Sequence, residues 1–394
     1  MRMWFVGWLS RRAAVAGLIC ALSGFAAAAN SPHYLVTNDD VPPFFETGVS
    51  FYTVSATGLL TLDTQVPTGG SGAGGGYFGS NRIAVLNNGS TQCVYASEGF
   101  SGDIVGIIVG TLEIGGSASG SSTDGGTSNG IGLAINSQYI YAGFSDSNTI
   151  GTFQVQPGCS LSFINDVSVS GLQGGVIDGM AINGNLLVAT YGDGSIESFD
   201  ISSGPPVSNG DKQNSTVSTK SGFSTYPTSV KITQDGHYAI FGDTSTSDTV
   251  EVSNVASGKL SPTVSYNLSS AINSSNILFS PDETLLYVAN SQGDKVTAAF
   301  FDSTTGKITP GCSSGPLQGY VESWSYLASM ALESNTGTGG VLYVAEFGSS
   351  SGIAMVQITS QGGKCTLKEM AGSPVSDPFS TSLLSIGTFP PPTF

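Results

Sequence analysis

Leu286-Tyr287-Val288-Ala289-Asn290 is the stretch that decides the fold, because it returns with variations along the chain. It reads Tyr34-Leu-Val-Thr-Asn38, Val94-Tyr-Ala-Ser97, Ile140-Tyr-Ala-Gly143 and Leu186-Leu-Val-Ala-Thr190. Further on come Tyr238-Ala-Ile-Phe-Gly242, the stretch itself, and Leu342-Tyr-Val-Ala-Glu346. The seven copies are spaced by roughly 46 to 59 residues, the range of four-stranded propeller blades. Around the parent copy, Asn276–Ser280 reads as a first strand and Leu285–Ala289 as a second. Lys295–Asp302 is a third, and Ile308 begins a fourth. Pro281-Asp-Glu-Thr284, Ser291-Gln-Gly-Asp294 and Ser303–Gly306 are the turns between them. Such connections are too short for crossover helices, so neighbouring strands are antiparallel hairpins.

These units predict an all-β chain: a seven-bladed propeller of four-stranded antiparallel blades. One copy cannot bury its own faces, so a single ring is expected over residues 30–394 rather than two or three domains. The first copy starts at Tyr34 with a second strand and lacks a first. The chain ends with Ser382-Leu-Leu-Ser-Ile-Gly-Thr-Phe389, a first-strand pattern like Leu327–Leu332. The C-terminal strand is therefore expected to complete the N-terminal blade and leave no open edge. The Gly/Ser-rich stretches 68–76, 115–130 and 203–221 read as solvated loops, since the repeat resumes after each.

Residues 1–29 read as an export signal: Arg2, Arg11 and Arg12, an apolar run from Ala13 to Phe25, then Ala26–Ala29 for cleavage. The apolar run is shorter than the roughly 20 residues that span a bilayer. Ser10-Arg11-Arg12 weakly resembles a twin-arginine signal. Loss of this segment takes three arginines and no acids, moving the net charge from −16 to −19 and leaving one arginine, Arg82, and eight lysines. Phosphate backbones and anionic membranes need dense basic charge, so nucleic acid and membrane insertion are not expected. A secreted monomer is, extracellular or periplasmic. Four cysteines remain, Cys93, Cys159, Cys312 and Cys365, an even number in an exported chain. Cys93 and Cys159 belong to neighbouring copies, as do Cys312 and Cys365, and pairing between neighbours is expected. No Cys-x-x-Cys spacing exists and His33 and His237 are the only histidines, so no metal site is expected from them.

Leu285-Leu-Tyr-Val-Ala-Asn290, then Val296 and Thr305-Gly-Lys-Ile308, resemble the YVTN-type β-propeller repeat, and Ala371-Gly-Ser-Pro374 resembles the segment that joins such repeats. The wider superfamily includes lactonase-like propellers, the bacterial 6-phosphogluconolactonases and carboxymuconate cyclases. The resemblance implies seven blades; a fold that hosts many functions implies activity only weakly. No catalytic residue carries over by motif. A phosphosugar lactone would want arginine clamps, and Arg82 stands alone at the start of a strand.

Aligning the copies puts Asp39, Glu98, Tyr191, Asp243, Asn290 and Glu346 at the junctions of second and third strands, which open onto one rim of the channel. Gathered there, acids and aromatics would form a pocket for a small molecule, a carbohydrate or a protein. Such carboxylates would also suit a hard cation such as calcium; no other cofactor is expected. The competing reading is ordinary turn chemistry, and it applies more strongly to Asp103, Asp146, Asp193, Asp248 and Asp294 before the third strands. Trp324, with Tyr320 and Tyr326, leads into a first strand and could stack on a ligand or pack between blades. The reading is a secreted binding scaffold with its site at the channel mouth. A lactonase-like hydrolase is the alternative, and a cell-surface structural protein a third.

Overall fold

The computed structural model describes residues 33–39, 46–72, 81–88, 91–120, 131–145, 147–215, 227–243, 249–268, 274–290, 295–318, 326–333, 339–347, 352–379 and 383–391. They form seven antiparallel sheets whose first strands pack on one another in order around a closed ring. Blade I holds Leu383–Phe389 innermost, then Tyr34–Asp39, Glu46–Val54 and Leu60–Ser71. Blade II is Ile83–Asn87, Gln92–Glu98, Asp103–Ile108 and Glu113–Ser119. Blade III is Ile131–Ile135, Tyr139–Phe144, Thr149–Val155 and Leu161–Ser168. Blade IV runs Ile177–Asn183, Leu186–Tyr191 and Ser195–Asp200, with short outer pieces Val207–Ser208 and Gln213–Asn214. Blade V is Pro227–Ile232, Tyr238–Asp243 and Thr249–Ala256, edged by Lys259–Leu260 and Val264–Asn267. Blade VI is Ser274–Phe279, Leu285–Asn290, Val296–Asp302 and Lys307–Ser313. Blade VII is Tyr326–Glu333, Gly339–Phe347, Gly352–Gln361 and Lys364–Glu369, with Val375–Ser376 beside its third strand.

The expected closure is present. Tyr34 to Asp39 pairs antiparallel with Leu383 to Phe389, Tyr34 opposite Phe389 and Val36 opposite Gly387. Phe389 is fully buried among Tyr34, Val36, Val49 and Phe51, so the seam is packed like any other blade. Serines stitch the ring at the backbone level. Ser385 Oγ accepts from the N–H groups of Arg82 (3.0 Å) and Ile83 (3.2 Å), joining blades I and II. Ser329 does the same for Ile386 (3.3 Å) and Ser229 for Ile277 (3.1 Å).

Burial explains which strands carry a sequence signal. Second strands are covered on both faces: every residue of Tyr34–Asp39 and of Leu285–Asn290 is buried. That is the arrangement that selects continuous apolar runs. Fourth strands are largely exposed, as in Leu161–Ser168. Here the structure corrects the loop assignments: Leu60–Ser71 and Glu113–Ser119 continue as strands into stretches 68–76 and 115–130, and short strands interrupt 203–221. An outer strand has one paired edge and a wet face, so Gly, Ser and Thr suffice there.

Both disulfides join neighbouring blades. Cys93, in the second strand of blade II, bonds Cys159 in the turn after the third strand of blade III. Cys312 and Cys365 link the fourth strands of blades VI and VII. Gly106 permits the first link, because a Cβ there would overlap the carbonyl oxygen of Cys159. Among the described residues no helix is long and apolar enough to cross a membrane.

Candidate functional site

Aligned by their pairing with the first strands, the second-strand motifs start at Leu35, Val94, Ile140, Leu187, Ala239, Leu286 and Leu342, and the expected rim residues occupy the fifth position: Asp39, Glu98, Phe144, Tyr191, Asp243, Asn290 and Glu346. The structure buries Asp39, Glu98, Tyr191, Asn290 and Glu346, each at most 2% exposed. Alternation along a strand explains this, since the fifth residue shares a face with the first and third, which pack between blades. The Asp243 backbone closes its strand, and its side chain lies outside the described residues, as do Trp324, Tyr320, Asp146, Asp248 and Asp294.

The first strands carry an irregularity at this end. In five blades the pairing slips by one residue near this end of the first strand, between Leu383 and Ser385, Ile177 and Gly179, Pro227 and Ser229, Ser274 and Asn276, and Leu327 and Ser329. A bulge re-aims the extra residue. In blade IV that residue is Asp178, which is fully buried and holds its proton well above the usual carboxylate range because burial disfavours its charge, with Asp193 adding to the effect.

Four polar clusters follow around this end. At the seam, Asp39 accepts from Thr37 Oγ1 (2.5 Å), Ser50 Oγ (2.6 Å) and Gln65 Nε2 (2.6 Å). Asp377, from the segment leading into the closing strand, accepts from Tyr52 Oη (2.7 Å) and shares Thr37 (3.4 Å). Burial first, and the neighbouring Asp377 second, push Asp39 up to about 7. Between blades I and II, the buried Glu98 accepts from Thr47, which also meets Thr68 (2.9 Å), and Arg82 lies within electrostatic range. Burial raises Glu98 against the pull of those hydroxyls and of Arg82; it lowers Arg82 to about 10. In blade IV, Glu197 receives Tyr191 Oη (2.9 Å) and Ser208 Oγ (2.6 Å) and pairs with Lys212 Nζ (3.0 Å). Glu346 is pushed up to about 8 by burial and by Glu369.

Inside the ring, the first strands of all seven blades wall a channel cavity of about 690 Å³. Asn81 and Ile83 line it on either side of Arg82, which is itself buried behind that wall, as is Glu98. Among the described residues no three His, Cys, Asp or Glu side chains gather closely enough to hold a metal ion. His237 pairs with Asp235 (3.0 Å) in an exposed turn, away from this end. Asp178, Asp377, Glu197 and Lys212 were not singled out by the sequence reading. Asp178 alone carried a signal, an acid set between Ile177 and Met180 in an apolar first strand.

Comparison with known proteins bears on this arrangement. A family model described as Lactonase, 7-bladed beta-propeller matches residues 105–378. A putative 6-phosphogluconolactonase from Bacteroides fragilis superposes with a TM-score of 0.62 at 15% identity, covering 92% of this chain and 99% of that one. The periplasmic gluconolactonase PpgL of Pseudomonas aeruginosa gives 0.59 at 12% identity, over 87% and 98%. A functionally unknown protein from Desulfotomaculum acetoxidans gives 0.61 at 16%, over 91% and 99%. At these identities the likeness concerns the fold. No curated protein matches the sequence.

Proposed function

The chain belongs to the lactonase family of seven-bladed β-propellers, and from that premise we propose that it hydrolyses a cyclic ester at the channel margin beside Arg82 and Glu98. The observation carrying this reading is their proximity: a guanidinium and a carboxyl with raised proton affinity lie within electrostatic range of each other, and Arg82 stands between Asn81 and Ile83, which line the cavity. A base that holds its proton more tightly than an ordinary carboxylate is better matched to neutral pH. Glu98 would take a proton from water as its oxygen bonds the lactone carbonyl carbon. Arg82 would stabilise the oxyanion that forms. Collapse breaks the ring C–O bond, and Glu98 returns the proton to the leaving alkoxide. The product is an open hydroxy acid.

This reading ranks above the binding scaffold expected from the sequence, because the matching family is a lactonase family and two of the structural neighbours carry lactonase names. We also place the chain outside the cytoplasm. Two disulfides fit an oxidising compartment, and one neighbour is described as periplasmic. The test is proton release by pure mature protein across a panel of aldono- and aliphatic lactones, corrected for spontaneous opening. Turnover is expected, with Glu98→Gln lowering kcat by about 10²–10⁴. Absence of turnover over the panel refutes the proposal; full activity in Glu98→Gln moves the chemistry elsewhere.

A further inference from the structure

The second residue of the second-strand motif pairs, in each blade, with a residue of the first strand that lines the channel. In blade V the pair is Ile240 with Lys231. In the other six blades the channel residue is Gly387, Ala84, Ala134, Ala181, Leu278 or Ala331. All seven line the same cavity. One layer of the ring therefore sets a single lysine opposite five residues no larger than alanine, which leaves room beside it.

The surroundings of Lys231 are apolar. Its cross-strand partner Ile240 packs with Ile277 and Phe279 of blade VI, and paired residues share a sheet face. Val230 and Ile232 face the other way, toward Val188 and Ile196. Among the described residues, the Lys231 ammonium has no hydrogen bond or ion pair. Glu283, the carboxylate that lines the cavity, sits in the turn beyond the next first strand and accepts from the Gln234 N–H (2.8 Å). Burial alone lowers the proton affinity of the Lys231 ammonium. An uncompensated cation in such a place is costly, and a bound anion removes the cost.

We propose that the channel binds an aliphatic monocarboxylate, its carboxylate on Lys231 Nζ and its chain along the aliphatic wall. The wall selects the tail. Around the Lys231 layer, residues such as Ile135, Ile182 and Leu332 offer no hydrogen bonds, while the polar lining residues Asn81, Asn183, Gln234 and Glu283 lie toward the ends of the first strands, so the hydroxyls of a sugar acid held on Lys231 would lose their partners along this stretch. The volume lies within the usual range of small-molecule pockets, about 300–1,000 Å³. This site is independent of the Arg82–Glu98 reading and survives its failure.

The experiment is calorimetric titration of the mature protein with decanoate, alongside decanol and a series of shorter fatty acids. One decanoate per chain is expected, with affinity rising up to about fourfold per added methylene. Lys231→Met keeps the stem and removes the charge; it should weaken decanoate about ten- to a hundredfold and leave decanol unchanged. Lys231→Arg should retain binding. Ala331→Phe keeps the lysine and fills the layer opposite, and should abolish binding, which guards against a misfolded Lys231 variant. No decanoate binding at millimolar concentration, equal affinity in Lys231→Met, or decanol binding as tightly as decanoate would overturn the proposal.

Discussion

Replacing Asp39 with Asn should flatten part of the pH dependence of stability. Asp39 is fully buried at the closing seam, where Thr37 of its own strand contacts both it and Asp377. Its proton affinity rises from the ordinary 3.8 to about 7. Between those values the folded chain keeps a proton that the unfolded chain has released. Unfolding free energy must then fall as pH rises through this window and level off above about pH 7. At about 1.4 kcal/mol per decade, the full effect is on the order of 4 kcal/mol. Glu98, Asp178 and Glu346 are raised as well and push in the same direction, so the wild-type slope alone does not isolate Asp39. The difference between wild type and Asp39→Asn does. Asn keeps the shape and the contacts to Ser50 and Gln65 without a titrating proton. Urea unfolding at pH 5, 6, 7 and 8 is the assay. The variant should gain on the wild type steadily from pH 5 to 7, by roughly 2 kcal/mol, the part of the full effect that falls within those two decades. A difference that stays constant over that range would refute the burial argument.

Three further outcomes test the packing. Cys312→Ala with Cys365→Ala removes a link between strands 53 residues apart, for which loop entropy gives about 4 kcal/mol, so unfolding free energy should drop by about 2–4 kcal/mol in urea. Gly106→Ala should cost more than about 3 kcal/mol or yield insoluble protein, because the methyl meets the Cys159 carbonyl; Gly110→Ala, with nothing near its Cβ, should change stability by less than about 0.5 kcal/mol. Phe389→Ala should lose about 3–5 kcal/mol by chemical denaturation, as any buried phenylalanine does, and a loss under 1 kcal/mol would mean the seam is not sealed.

The ring was legible because its second strands are buried on both faces, and such strands write the same apolar run seven times. Closure was legible for a related reason: Tyr34 began a second strand with no first, and Leu383–Phe389 was a first strand with no second. The outer strands left little trace, since Glu113–Ser119 and Gln213–Asn214 need no apolar face. The rim was half legible. Asp39, Glu98 and Glu346 were recognisable as equivalent positions, yet they look like turn residues until strand alternation is carried one step further, to the face shared with Val94 and Leu342. Asp178 stayed hidden because a bulge breaks the period that sequence reading relies on, and Asp377 because it lies in no repeat.

Sevenfold repetition also separates what the fold demands from what it merely permits. A position that six blades fill with Gly, Ala or Leu asks only for a residue that fits against the next first strand. Packing therefore gives no reason for Lys231, and electrostatics counts against it, since its ammonium is desolvated without a described partner. Arg82, the one arginine after residue 12, likewise holds a position that aligns by pairing with Asn276 and Ser229, in blades that place no cation there, and it lies within electrostatic range of Glu98. Lys231 lines the channel without an ion pair among the described residues, and Arg82 stands behind the wall near Glu98, whose charge burial disfavours. A ring that is acidic overall has thus kept positive charge in its interior, where an anionic ligand or an oxyanion would be the group to meet it.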